Sequence, residues 1–379
     1  MADRRLLMIP GPIEFEPDVL AAMGERTRSH MDPVFAEQFG RALERTREVF
    51  LAGKDAQPFI IAGSGTVAMD MAIANLVEEG DSALVIDTGY FSARMAEVLT
   101  RWGARVTSIG GKLGDAPSLD EISAALAQHR PKIVTITHVD TSTGVRTDVE
   151  AIARVAREHD ALVVVDGVCS VGGEVLRQEA WGLDVVLTAS QKALGTPPGL
   201  AVLVASQRAL KARRKKVASI YLDFTQWLPV MEAYEARKPV YFATPAVNLV
   251  AALDISLGKL LAEGMDARFA RHQRMADAFR AGWRAMELTP LPREGLAANT
   301  LSALYFPSGI DATLPAKIGA EGIVVAGGLH PEAKTKYFRV GHMGSVSAND
   351  VVATVSAVER ALGRNGQGVA AAHASLLAK

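Results

Sequence analysis

Lys192 stands in "DVVLTASQKALGTPPG", residues 184–199, just after a valine-rich run of the kind that fills a buried strand. A lysine at such a place is rarely buried without a partner or a task. Asp166 closes a second apolar run, "ALVVVD". A carboxylate buried there needs a cationic or hydrogen-bonding partner, or it takes up a proton. A third feature is "GSGT", residues 63–66, between the run "FIIA" and a helical pattern that begins near Val67. Glycines let backbone approach an anion, and a helix N-terminus with free N–H groups and hydroxyl side chains suits a phosphate. These groups could supply an amine as nucleophile and base, an acid to face a positive nitrogen, and a phosphate cradle. Simpler readings fit the same residues: an ion pair between Asp166 and Lys192, and an ordinary cap on a buried helix.

Elements must bring these groups together. From about residue 58 to 205 short apolar runs alternate with helical patterns: "PFIIAG", "TVAMDMAIANLVEEG", "SALVIDTG", "FSARMAEVLTRWG", "KIVTITHV", "DVEAIARVAREHD", "ALVVVDG", "DVVLTAS" and "LAVLVAS". This alternation predicts an α/β domain with a mainly parallel sheet, and ligands in such sheets sit at the C-terminal ends of the strands. The long helical stretch of residues 246–286 leads to the shorter runs "LSALYFP", "GIVVAGG" and "YFRVGH", which predict a smaller α+β domain. The expected division is an N-terminal arm over 1–20, a large domain over 21–255, a small C-terminal domain over 256–362 and a flexible tail over 363–379. The basic run "KARRKK" at 211–216 reads as a solvated helix face, because charge is balanced overall.

One flat, charged cofactor would use all three chemical features. Pyridoxal 5'-phosphate offers an aldehyde for a lysine amine, a ring nitrogen that stays protonated opposite a carboxylate, and a phosphate. The competing expectation is an NAD-linked oxidoreductase, since Gly63, Gly65 and Ala68 fit G-x-G-x-x-A and Asp87 ends the next apolar run. That alternative leaves Lys192 and Asp166 without a role.

The ordered set "GSGT", "THVDTSTG", "VVVDGVCSVGG", "TASQKALGTPPG", "YFATP" and "FRVGHMG" resembles the class V, fold-type I pyridoxal-phosphate aminotransferases, in particular their alanine–glyoxylate and serine–glyoxylate group. The resemblance runs from about residue 6 to 344. It implies a seven-stranded-type sheet with a smaller C-terminal α+β domain, and a homodimer with active sites at its interface. It also implies that Lys192 holds the cofactor, Asp166 faces the ring nitrogen, and Ser64, Gly65 and Thr66 take the phosphate with Gln191 beside them. Phe91 would stack on the ring where the family often has tryptophan, and Thr141 would approach the phenolic oxygen. Tyr241 and Thr244 would reach the phosphate of the neighbouring subunit, and Arg339, with Gly11, would hold the substrate carboxylate. Tyr241 as an interface tyrosine and Arg339 as a surface ion-pair partner are the plainer alternatives.

Bulk properties agree with small-molecule chemistry. The chain has 41 basic and 42 acidic side chains, a formal charge of -1, so no global field favours nucleic acid or an anionic membrane. A single cysteine, Cys169, fits a reducing compartment and predicts a cytoplasmic protein. Pro10, Gly11 and Pro12 interrupt the N-terminal apolar patch, which reads as an ordered arm, and no run reaches the about 18 residues that span a bilayer. The ending "LAK" is no clear peroxisomal address. His138, Cys169, His330 and His342 lie in separate segments without metal-ligand spacing, so no metal is expected. One carboxylate clamp points to alanine, serine or glycine as donors and glyoxylate or pyruvate as acceptors, with Arg94 a possible second charge. Other class V chemistries remain as alternatives: aspartate or phosphonate transaminases and lyases. Desulfuration would need a mobile cysteine, which Cys169 is not placed to be.

Overall fold

The computed structural model describes residues 5–214 and 216–378. Seven strands form the central sheet, in the order Gln57–Ala62, Leu200–Ala205, Val185–Ala189, Leu162–Asp166, Ile133–Thr137, Ser82–Asp87 and Arg105–Gly110. Leu200–Ala205 runs antiparallel to both its neighbours, and the remaining pairs are parallel. Val163, Val164, Val165, Val185, Val186 and Leu187 are fully buried, which accounts for runs without polar alternation. The edge strand Arg105–Gly110 was not marked by such a run. It is covered on fewer sides and leaves Arg105, Ser108 and Gly110 exposed, so its sequence stays partly polar.

Helices connect the strands. The expected patterns become Gly65–Leu76, Tyr90–Arg101 and Val149–Glu158. Leu119–His129 is an addition, started by a capping box in which Ser118 and Glu121 exchange hydrogen bonds. The helical stretch after residue 246 is two helices, Val247–Glu263 and Met265–Ala285, separated at Gly264. The second of these enters a separate core with Met8, Phe279, Trp283, Leu304, Phe338 and Val351. Around that core Leu301–Tyr305, Tyr337–Gly341 and Ala326–Gly327 form an antiparallel sheet, with Tyr337–Gly341 in the middle.

The N-terminal arm belongs to both lobes. Leu6–Leu7 pairs in parallel with Ile323–Val324, and the Met8 carbonyl accepts the Gly341 N–H at 2.8 Å. Farther on, the Ile13 N–H reaches the Gln191 carbonyl at 3.3 Å, next to Lys192. A segment anchored at the small lobe therefore crosses to the end of the lysine strand.

Two expectations need correction. The expected flexible tail over 363–379 is, among its described residues, not frayed: Gln367–Leu377 is a helix laid against Met265–Ala285 and Ala348–Ala361, with Ala372 fully buried. The buried Glu359 carboxylate accepts the Gly368 N–H at 2.6 Å and the Val369 N–H at 3.2 Å, answering two of the unpaired donors that open any helix. Glycine and alanine permit this close docking but give no hydrophobic period. The basic run is also not a helix face, because the helix Gln207–Ala212 ends inside it and the Arg214 N–H goes to the Asn75 carbonyl at 2.7 Å. Lys215 lies outside the described residues. Among the described residues no helix is long and apolar enough to cross a membrane.

The docking of the last helix is testable. Glu359→Ala strands two backbone donors near the core, so it should lower stability by about 2 kcal/mol, read as a lower urea midpoint. An unchanged midpoint would mean that the carboxylate does not hold the helix.

Candidate active site

The antiparallel strand makes the site possible. Leu200 lies opposite Ala62, and Ala201 lies opposite Ala189, so the ends of two strands that run the same way meet at one edge of the sheet. Beyond Ala62 the chain makes the 63–66 turn, and beyond Ala189 it reaches Gln191 and Lys192. Asp166 ends the next strand, between Thr137 and Leu187.

Asp166 is buried, and the one hydrogen bond to its carboxylate among the described residues comes from the Val168 N–H at 2.9 Å. Burial pushes its carboxyl up to about 7; the Val168 bond and Lys192 pull it down, and the Asp140 carboxylate adds to the rise. The Lys192 ammonium donates to the Pro10 carbonyl rather than to Asp166. The simple ion pair is therefore not what the fold builds. Gly11 lies against the lysine: its φ is +116°, and a Cβ there would sit 2.6 Å from Lys192 Nζ.

Burial pushes the Cys169 thiol above its ordinary value, and the nearby Lys192 and Thr141 pull it down. The carbonyl of Thr141 accepts Arg339 Nη1 at 3.0 Å, and the Gly327 carbonyl accepts Arg339 Nε at 2.8 Å. Strand register explains how this arginine fits inside: its neighbours on either side are Ala303 and Ala326. Arg339 has no ion-paired carboxylate among the described residues, and burial lowers its pKa from the ordinary arginine value. A half-buried guanidinium bound only to carbonyls is suited to a carboxylate from outside.

Sequence reasoning chose Thr141 from "THVDTSTG" and passed over its neighbours. Asp140, fully buried, accepts the N–H groups of Phe91 at 2.9 Å and Ser92 at 3.2 Å, together with the Ser142 N–H at 2.9 Å. A carboxylate at the start of Tyr90–Arg101 fixes that helix and with it the Phe91 ring. Burial raises the Asp140 pKa, against the pull of these bonds. Tyr337, likewise missed, donates to the Ser142 carbonyl and accepts from the Leu329 and His330 N–H groups. An acid within an otherwise apolar and hydroxyl-bearing segment was the available signal.

Ser64 and Thr66 are exposed at the start of Gly65–Leu76, and the Ser64 hydroxyl makes no cap. Gly65 lies so close to the loop after Asp166 that a Cβ would come 2.9 Å from Val168 Cγ2. The structure thus brings Gly65, Asp166, Thr141, Lys192, Gly11 and Arg339 into one connected group, with Phe91 tied in through Asp140. Tyr241 and Thr244 stand apart: Tyr241 is 64% exposed, its ring 5.3 Å from that of His30, and Thr244 is exposed. His342 is taken up structurally, its ring nitrogens bonded to Ser302 Oγ and the Asn299 carbonyl.

A dinucleotide fingerprint requires the strand before its glycines and the strand ending in its acid to be neighbours. Here Gln57–Ala62 and Ser82–Asp87 are separated by four strands, and Asp87 accepts the Ser92 hydroxyl at 2.6 Å and the Gly89 N–H at 3.1 Å. The geometry excludes the NAD expectation. Pyridoxal 5'-phosphate fits the residues present. The open helix start has uncommitted hydroxyls, Asp166 is a buried acid without a cation bonded to it, and the buried Gln191 Oε1 has no partner among the described residues.

Comparison with known proteins gives the same direction. A family model, aminotransferase class-V, matches residues 17–350. The chain is 37% identical to alanine–glyoxylate aminotransferase 1 of Saccharomyces cerevisiae, covering 90% of this chain and 93% of that protein. It is 34% identical to the L-aspartate–glyoxylate aminotransferase of Paracoccus denitrificans, over 98% of this chain and 96% of that one. The crystal structure of an alanine–glyoxylate aminotransferase from Nostoc sp. superposes with a TM-score of 0.89 at 33% identity, covering 96% of each chain.

The Asp166 environment yields a pH-dependent outcome. A carboxyl raised by folding from 3.8 to about 7 favours the folded state at low pH, and that contribution is lost as pH rises through about 7. Without cofactor, Asp166→Asn should therefore gain stability relative to the unsubstituted chain between about pH 5 and pH 8. Urea midpoints across that range check the sign, and a constant difference would contradict it.

Proposed function

The chain belongs to the class V aminotransferases and is a pyridoxal 5'-phosphate enzyme of that class; we propose that it moves an amino group between alanine, or serine, and a small 2-oxo acid, glyoxylate or pyruvate. Arg339 carries this reading. It is the guanidinium that meets the Lys192 neighbourhood through Thr141, and it has no protein carboxylate to satisfy it among the described residues. Arg94, the candidate for a second carboxylate, is engaged instead by the Tyr90 hydroxyl, with its charge 5.0 Å from the centre of that ring. A donor with one carboxylate and a small side chain suits this set, and aspartate, the donor in the name of the Paracoccus relative, is the competitor.

When bound, the cofactor supplies an electron sink for the bond broken at the substrate Cα. Lys192 would hold its aldehyde, Asp166 would keep a proton at its ring nitrogen, and Phe91 would cover its ring. Ser64, Gly65, Thr66 and Gln191 would take the phosphate, and Thr141 would approach the phenolic oxygen. Arg339 fixes the substrate carboxylate with backbone from Gly11 beside it, which brings the Cα–H within reach of Lys192 Nζ as general base. Pro10 and Gly11 lie against the lysine and hold its Nζ. The two half-reactions share one site, so kinetics should be ping-pong.

The same reading includes a homodimer. Exposed Tyr241 and Thr244 would reach the partner's phosphate, and the apolar Met31, Val34 and Val240, each more than two-fifths exposed, support a covered surface. A cytoplasmic setting is part of it too, resting on the single cysteine.

Purified protein should turn yellow with pyridoxal 5'-phosphate, and Lys192→Ala should lose the colour's borohydride sensitivity and reduce transamination by about 10²–10⁴-fold. Arg339→Lys should raise KM for the amino donor by about tenfold or more, as expected for one charged hydrogen-bond pair. Donors paired with glyoxylate, pyruvate and 2-oxoglutarate identify the substrates. Turnover restricted to 2-oxoglutarate would sink the alanine–glyoxylate assignment.

A further inference from the structure

One helical turn between the lobes touches the loops behind all three chemical residues. Arg268 is 5% exposed on Met265–Ala285; its Nε donates to the Gly172 carbonyl at 2.7 Å and its Nη2 to the Ala193 carbonyl at 2.9 Å. Gly172 lies in the turn that follows Asp166, and Ala193 follows Lys192 directly. On the same turn Arg271 donates to the carbonyls of Gly344 at 2.9 Å and Val346 at 3.0 Å, and His272 Nε2 accepts the Gly344 N–H at 3.0 Å. Gly344 belongs to the loop after Arg339. Both arginines share one carboxylate, Glu263, at 2.8 Å from Arg268 and 2.6 Å from Arg271.

This arrangement is costly if it serves only cohesion. A buried cation loses several kcal/mol of hydration, and well-packed apolar side chains often hold such an interface as well or better. A guanidinium offers something that an apolar group or an ammonium cannot, a rigid fork with donors aimed at two carbonyls at once. We propose that Arg268 is a positioning residue of the transamination: its fork fixes the Ala193 and Gly172 carbonyls, and so sets the distance between the Lys192 amine and the Asp166 carboxylate. Arg271 and His272 carry the same register to the Arg339 loop. Ser256 Oγ donates independently to the Leu194 carbonyl at 2.6 Å, so the lysine loop stays folded when Arg268 is shortened, and only its placement changes.

The inference rests on the transaminase reading, and the test separates the two. Arg268→Lys, which keeps the charge beside Glu263, and Arg268→Met are compared with the unsubstituted holoenzyme. The readouts are the pH midpoint of the visible band of bound pyridoxal 5'-phosphate, the rate of cofactor capture by the cofactor-free chain, kcat, KM and thermal melting. Arg268→Lys should displace the band midpoint, slow capture and lower kcat by on the order of 10- to 100-fold, the scale of an ångström's misplacement, while melting changes little. Arg268→Met should do at least as much; if it does not fold, Arg268→Lys alone decides. An unmoved band midpoint with unchanged kcat, or a lower melting temperature alone, overturns the positioning role. If the unsubstituted chain shows no visible band, the cofactor reading itself fails and the positioning role with it.

Discussion

A carboxylate buried at the end of an apolar strand must be answered by positive charge or be protonated, and Asp166 is the place where this chain accepts that constraint. The protein does not answer it internally. Lys192 is turned to the Pro10 carbonyl, and among the described residues the one hydrogen bond to the Asp166 carboxylate comes from its own turn. The acid is left without a cation bonded to it, and the buried strands around it deny it the water that would otherwise satisfy it. Arg339 repeats the logic with opposite sign: it is a cation set among carbonyls, with no ion-paired carboxylate among the described residues.

Holding two unanswered charges in register requires rigid surroundings. The sheet provides one part, because hydrogen-bonded neighbours fix Asp166 against Thr137 and Leu187. Asp140 provides another by anchoring the start of the Phe91 helix. Among the places where the lobes are joined are the N-terminal arm over Lys192 and the turn that carries Arg268, Arg271 and His272. Both junctions end on backbone carbonyls or amides, which move only when a whole loop moves.

Much of the architecture was legible from composition along the chain. Six strands announced themselves as apolar runs, since burial on both faces removes polar residues from such a sheet. The strand Arg105–Gly110 did not, because an edge is partly wet and its sequence shows it. The last helix was invisible for a different reason. Its small residues carry no period, and the group that starts it, Glu359, lies in the preceding helix and was readable only as another surface acid.

By itself the sequence determined which chemical groups end the apolar runs, an amine at 192 and an acid at 166, and that a glycine-rich turn precedes a helix at 63–66. Their type and their position relative to strand ends are local properties, set by which residues can be buried and which can turn. Only the tertiary structure decided who meets whom. The antiparallel strand Leu200–Ala205 placed the 63–66 turn beside the lysine loop and four strands away from Asp87, so a glycine pattern that also fits a dinucleotide sits in a sheet without the dinucleotide strand order. Strand order is fixed by long-range packing and hydrogen bonding between segments far apart in the chain, and no local run of residues records it.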